Sequence, residues 1–264
     1  MSTDQEYSRS VEAWRGDRLA RLAAEDGWLN VIGRWNVEPG SVSLGAASDN
    51  DIVLAIGPEH VGVLTLEEGG GTTFVPSDGG APIRLALDTK SPPRFSAGQL
   101  LLEITRLDGR HALRVRDKEA PARNAIPAIP HFPVDPEWRI VADWLLLNEP
   151  VTAMVDTIIG VPTKVTITHK AVFFHEGRRY ELAPTHGTPQ APQFVFRDRT
   201  SGLETYPAAR FLIGDDVSED TIVLDFNKAI NPPCAFTDHA VCPLPLPQNI
   251  LPFRVDAGEM KLPD

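Results

Sequence analysis

The residues best suited to chemistry crowd into one stretch near the C-terminal end. Cys234 and Cys242 stand with seven residues between them, and Asp238 and His239 fall inside that interval. The spacing differs from the CxxC pairs of zinc ribbons and thioredoxin-like redox sites. Four states are open to such a pair: a disulfide, two metal thiolates, a reactive thiol, or two inert buried thiols. A disulfide closing this loop would contribute about 2.5 kcal/mol by the chain-entropy relation, but a reducing compartment disfavours it. A metal would need two further ligands, and Asp238 with His239 makes an uncommon set beside two thiolates. Inert thiols are the favoured expectation, and no cofactor is called for.

Two polar groups accompany the thiols. Asp225, Asn227, Asn231, Gln248 and Asn249 lie in the same proline-rich region, with Asp225 and Asn227 on one face of a strand end. Side-chain amides and carboxylates in a strand-poor coil usually satisfy orphan backbone groups, and that bland role is favoured over ligand contact. A cluster of Asp, Asn, Cys and His on one ordered loop is still the first place to seek a ligand. Arg197, Asp198, Glu204, Tyr206 and Arg210 form the other group, on segments that read as a hairpin around Thr200-Ser201-Gly202. Cross-strand ion pairs are the favoured role there, ahead of an Arg presented to an anion beside a Tyr hydroxyl. The seven histidines show no HxH, HxxxH or HExxH spacing. Phosphate-loop, dinucleotide and nucleophile-elbow signatures are missing as well.

The elements that must position these residues are mostly strands. Proline makes up 24 of 264 residues, about 9% against a usual ~5%, which argues against long helices. One helix is expected at the start, where Tyr7, Val11, Trp14, Leu19 and Leu22 recur near helical spacing, stopping near Asp26-Gly27. From Trp28 the period becomes two. Short apolar runs (41–44, 52–54, 61–66, 73–75, 83–87, 100–107 and 112–115) alternate with turn residues such as Gly69-Gly70-Gly71 and Asp108-Gly109. Asp108-Gly109 suits a type I′ hairpin. Pro121, Pro127, Pro130, Pro133 and Pro136 mark a stiff connector. Strand-like runs resume at 139–147, 151–156, 165–168, 171–174, 180–182, 194–196, 210–212 and 221–226, with a hairpin turn at His175-Glu176-Gly177-Arg178. From Asn231 onward, seven prolines leave room only for an ordered coil laid over the strands. The expected fold is therefore mainly β: an N-terminal amphipathic helix (1–27), a β-sandwich or barrel-like subdomain (28–120), the connector (121–136), and a second such subdomain with the proline-rich coil (137–264).

The stretch Asp225-Phe-Asn-Lys-Ala-Ile-Asn231-Pro-Pro-Cys234 through Cys242-Pro-Leu-Pro-Leu-Pro-Gln248-Asn249 resembles the signature of the domain-of-unknown-function family 1684. Trp14-Arg15, Asp26-Gly27-Trp28-Leu29, Ser48 to Leu54, Phe132 to Trp138 and Phe196-Arg197-Asp198 to Tyr206 agree with it. The resemblance ranks residues but implies no reaction. Asp238-His239 stands where that pattern has Pro and an aromatic or small residue, so no role for His239 follows from it. Leu44-Gly45-Ala46 through Leu54, with His60 after it, is similar to the opening of a forkhead-associated β-sandwich. That likeness implies a shared sandwich without phosphothreonine reading, because Ala46 and Glu59 replace the Arg and Ser of the phosphate clamp.

Net charge is −11 and both halves are acidic, which opposes the basic surface that a phosphate backbone requires; no nucleic-acid partner is expected. No apolar run approaches a membrane span, and the N-terminal residues lack the apolar core of an export signal, so a soluble cytoplasmic protein is expected. Function is expected to be non-catalytic binding of a small molecule or partner at a pocket formed by the C-terminal loop. The candidate contacts are Asp225, Asn227, Asn231, Cys234, His239, Cys242, Asn249, Arg197, Tyr206 and Arg210. The alternative is a metal- or thiol-dependent hydrolase using Cys234, His239, Cys242 and Asp225. An exposed sheet edge would allow a homodimer.

Overall fold

The computed structural model describes residues 3–69, 71–86, 92–124 and 128–263. Gly70 of the glycine turn, Leu87 at the end of its apolar run and Pro127 of the connector lie outside the described residues. Two compact units make up the chain: Arg21–Ile126, and Met1–Ala20 together with Pro127–Asp264.

Helix α1 covers Thr3–Ala23. Val11 and Leu22 are its buried residues, while Leu19 of the expected apolar stripe stays exposed.

Among the described residues of the first unit, nine strands follow: β1 (Val31–Val37), β2 (Gly40–Gly45), β3 (Ile52–Val53), β4 (Gly62–Leu66), β5 (Thr72–Pro76), β6 (Ile83–Leu85), β7 (Arg94–Ala97), β8 (Leu100–Leu107) and β9 (Arg110–Asp117). They form sheets of order β1-β9-β8-β7 and β3-β2-β4-β5-β6. Inward residues of both sheets, Leu44, Leu64, Phe74, Leu102, Leu113 and Val115 among them, share one core. This is a sandwich. Leu107 pairs with Arg110 across Asp108 (φ 47°) and Gly109 (φ 77°), the two left-handed positions that a type I′ turn demands. Glu103 is buried on β8, where Arg94, Arg114 and Arg116 reach it at 3.1, 2.9 and 2.8 Å. Burial disfavours its charge, but the three guanidiniums prevail and hold its carboxyl below the usual range.

The second unit contains β10 (Arg139–Val155), β11 (Thr163–His175), β12 (Arg178–Leu182), β13 (His186–Thr188), β14 (Ala191–Phe196), β15 (Arg210–Ile213) and β16 (Thr221–Asp225). The sheets run β12-β11-β10-β16 and β13-β14-β15. The two runs expected at 139–147 and 151–156 are one strand, interrupted by an irregularity between Leu146 and Val151. A core of Trp144, Phe173, Phe194, Phe196, Leu212 and Leu224 is completed by Leu251, Val255 and Ala257 from the C-terminal tail. No sheet among the described residues closes on itself, so the barrel-like alternative gives way to open, layered sheets. Phe196 pairs with Arg210, so β14 and β15 are the neighbours and residues 197–209 are the loop between them. That corrects the expected hairpin around Thr200: the Thr200 carbonyl instead accepts the amides of Leu203, Glu204 and Thr205, knotting a compact turn.

No helix of the described residues is long and apolar enough to cross a membrane.

Candidate functional site

After β16 the chain carries three one-turn 3-10 segments, at Phe226–Lys228, Pro233–Ala235 and Pro247–Asn249. With proline removing donors, this tail cannot join a ladder along its length, and it is fastened piecewise. Arg197 N donates to Asn249 O (3.1 Å), Leu251 N to Arg197 O (2.8 Å) and Arg199 N to Phe253 O (3.0 Å), a parallel stitch along the loop after β14. Ile158 N donates to Cys242 O and Leu244 N to Asp156 O, a second stitch at the end of β10.

Most of the predicted polar residues belong to this fastening. Asn249 is wholly buried; its Oδ1 accepts from Ala183 N, and its Nδ2 donates to Ala183 O and Val195 O, all at 2.9 Å. Asn227 spends its amide on Asp135 N and O and on the Tyr7 hydroxyl. Asp225 accepts from Tyr7 Oη at 2.7 Å and lies 3.5 Å from Lys228 Nζ. Burial first, and then the Asp225 carboxylate, raises the Tyr7 phenol above its ordinary value. Asn231 donates through its backbone to Glu259 Oε2 and through Nδ2 to Met260 O. Arg18 of α1 reaches both Glu259 Oε1 and Asn231 O at 3.1 Å. Arg210, 1% exposed, donates to Ala257 O, to Val255 O at 3.0 Å and to Asp198 Oδ1 at 3.3 Å. Arg197 alternates with buried Asp198 and points to solvent.

The thiols form a separate group. No disulfide joins Cys234 and Cys242. Cys242 is 3% exposed and Cys234 half-buried. Cys234 N donates to Cys242 Sγ at 3.2 Å, and the Tyr206 hydroxyl donates to Cys234 O at 2.9 Å. The Cys234 thiol is lowered to about 7: the hydrogen bond from the Cys242 thiol is the largest cause, burial opposes it, and the Tyr206 hydroxyl helps. Tyr206 is raised in turn, chiefly by burial and by its bond to Cys234. His239 is half-buried in the loop between the two cysteines, with its backbone amide on Thr237 Oγ1. Asp225 spends its carboxylate on Tyr7, Asn227 and Lys228. Among the described residues, no three His, Cys, Asp or Glu side chains are grouped to hold a metal ion. The four residues of the hydrolase alternative are thus not gathered at one point.

The tail does help form a cleft, using residues that the spacing did not single out. Trp138, His175, Tyr180, Phe253, Arg178, Arg199 and Arg254 line about 880 Å³ of open space, with Glu176 and Asp256 at the same cleft. His175 stacks on Trp138 at 5.2 Å and on Phe253 at 4.3 Å, and Tyr180 meets Phe253 edge-on at 4.7 Å. Arg254 is engaged by Glu204 (2.9 Å) and Asp256 (2.8 Å). The exposed Arg178 and Arg199 have no carboxylate partner among the described residues. An aromatic shelf with unpaired guanidiniums is suited to anions with a flat apolar body. Another cleft of about 880 Å³ lies by Trp144, His169 and His186, against the turn 217–220. It is lined by Glu219 and Asp220 and has no Lys or Arg.

These features define a mainly β protein whose second half is a layered β unit completed by a strand-poor, hydrogen-bonded tail. The chain belongs to the family described as "Protein of unknown function (DUF1684)", whose model matches residues 124–260. The agreement read at Trp14 to Leu54 lies outside the matched span. A solved structure, the solution NMR structure of an uncharacterised protein from Haloarcula marismortui, is 26% identical, covering 52% of this chain and 78% of its own, with a TM-score of 0.43. No curated protein matches the chain.

Proposed function

We propose that the second unit is a non-catalytic binding module for a small anion with a flat apolar body, held in the cleft where tail residues Phe253 and Arg254 meet Trp138, His175, Arg178 and Arg199. The observation that carries this reading is the pair of guanidiniums without an ion-pair partner among the described residues, Arg178 and Arg199, beside the Trp138–His175–Phe253 stack, where three arginines outnumber the cleft's two carboxylates, Glu176 and Asp256. A guanidinium offers a bidentate fork to a carboxylate, and the rings bury the body attached to it. The tail's role follows from its fastening. Asp225, Asn227, Asn231, Asn249 and Arg210 hold Phe253 and Arg254 in register, so they serve the cleft without touching its occupant.

The test is a titration of the full chain with 2-naphthoate, read by tryptophan fluorescence and by calorimetry. Saturable binding is expected, weakened about tenfold or more in the Arg178→Ala/Arg199→Ala double variant by loss of the charge-assisted bonds. Phe253→Ala should weaken it as well. Undiminished binding by the double variant, or none at all by the wild type, would overturn the assignment.

A further inference from the structure

Cys234 and Cys242 play no part in the cleft, and their arrangement points elsewhere. Cys234 is partly exposed as a residue and Cys242 is 3% exposed. They are hydrogen-bonded to each other, and the Cys234 amide also points at Cys242 Sγ at 3.2 Å. Cys242 is fixed from behind, since its carbonyl accepts from Ile158 N at 2.9 Å. Cys234 sits on a one-turn segment whose carbonyl is held by the Tyr206 hydroxyl at 2.9 Å. Inert structural thiols have no need of mutual contact. A reachable thiol with a second one behind it is the layout of an attacking and a resolving pair.

We infer that Cys234 and Cys242 form a peroxide-reactive dithiol site, in which Cys234 attacks a hydroperoxide and Cys242 resolves the product as a disulfide. In the first step the Cys234 thiolate attacks one peroxide oxygen. An S–O bond forms, the O–O bond breaks, and the departing oxygen takes a proton to leave as water or an alcohol. In the second step the Cys242 sulfur attacks the Cys234 sulfenic acid. The S–S bond forms, the S–O bond breaks, and hydroxide leaves with the Cys242 proton as water. The two thiols together give up two electrons and the peroxide accepts them; an external dithiol returns the pair to its reduced form by exchange. The Cys234 thiol at about 7 supplies thiolate at neutral pH. Asp238, exposed in the intervening loop, adds negative charge near Tyr206.

The full-length chain is treated with a small excess of hydrogen peroxide, and intact mass and peptide maps are followed with time. The expected product has lost two hydrogens, carries a Cys234–Cys242 cross-link, and regains both thiols with dithiothreitol. Cys242→Ser should accumulate a sulfenic acid on Cys234 that dimedone traps. Cys234→Ser should react about tenfold or more slowly, because the buried sulfur then lacks its accessible partner. Survival of both wild-type thiols under excess peroxide would overturn the inference, as would oxidation of Cys234 to the sulfinic acid with no cross-link. So would a wild-type rate in Cys234→Ser. The wild-type mass measurement requires no variant to fold, and its outcome is independent of anion binding in the cleft.

Discussion

Arg197 and Arg210 have the same side chain, thirteen positions apart, and opposite fates. Arg197 projects into solvent and gives the tail only its backbone. Arg210 is buried against Asp198, which is itself bound by Val255 N at 2.7 Å and by the Thr200 hydroxyl at 2.9 Å. Removing one partner of a buried, hydrogen-bonded pair strands the other charge. Arg210→Ala should therefore lose about 3–5 kcal/mol, and Arg197→Ala should stay within about 0.5 kcal/mol of wild type, both read by guanidinium unfolding. Cys234 supplies a second prediction at this scale. Its thiolate is favoured by the Cys242 and Tyr206 hydrogen bonds against burial, so the charged form persists down to about pH 7. An ordinary thiol holds it only above about 8.5. The rate of Cys234 alkylation by iodoacetamide should rise with a midpoint near 7, and Tyr206→Phe should move that midpoint upward. A midpoint unchanged in Tyr206→Phe would remove the hydroxyl from the account.

At the scale of elements, the two Asp/Glu-Gly turns and the tail obey different rules. Asp108-Gly109 and Glu176-Gly177 both place two consecutive residues at positive φ, closing tight hairpins by local geometry alone. The tail obeys long-range constraints. Gly258 (φ 80°) has no room for a side chain: a Cβ there would stand 2.6 Å from Ala229 O and 2.8 Å from Phe226 O. At Gly109 nothing lies within 4 Å of the same position. Gly109→Ala should cost only the left-handed strain, about 1–2 kcal/mol. Gly258→Ala adds a clash with two carbonyls that belong to the backbone, and it should cost distinctly more. Thermal unfolding of the two variants compares them directly, and equal shifts would mean that the tail yields without resistance. The helix follows the tail's logic. In sequence Tyr7 reads as part of an apolar stripe and Arg15 and Arg18 as ordinary surface polarity, yet they meet Asp225, Phe132 O and Glu259.

At the scale of the whole molecule, charge and patterning were the legible quantities. Acidic balance in both halves sets the local cluster of Arg178, Arg199 and Arg254 apart from its background. The period-two runs located most strands because alternation is a property of neighbours along the chain, and Val165-Thr-Ile-Thr-His169 shows it in the burial of Ile167 between exposed threonines. The polar tail was legible as a cluster. Its partners were not: Asn249 bonds residues 66 and 54 positions away, and Tyr7 bonds one 218 away. No spacing rule reaches so far. For the same reason the cleft went unread, since Trp138, His175, Arg199 and Phe253 come from four separate segments with no shared motif.

What could be known from the linear chain is what short-range physics controls: mainly β character, the tight turns, a single helix at the start, and a proline-rich end unable to form ladders. Which asparagines are glue, which arginine is buried, that the two sulfurs touch, and that an aromatic shelf stands beside unpaired guanidiniums all depend on contacts between distant segments. Those contacts arise only when burial of the shared core brings the segments together, and no local pattern encodes them.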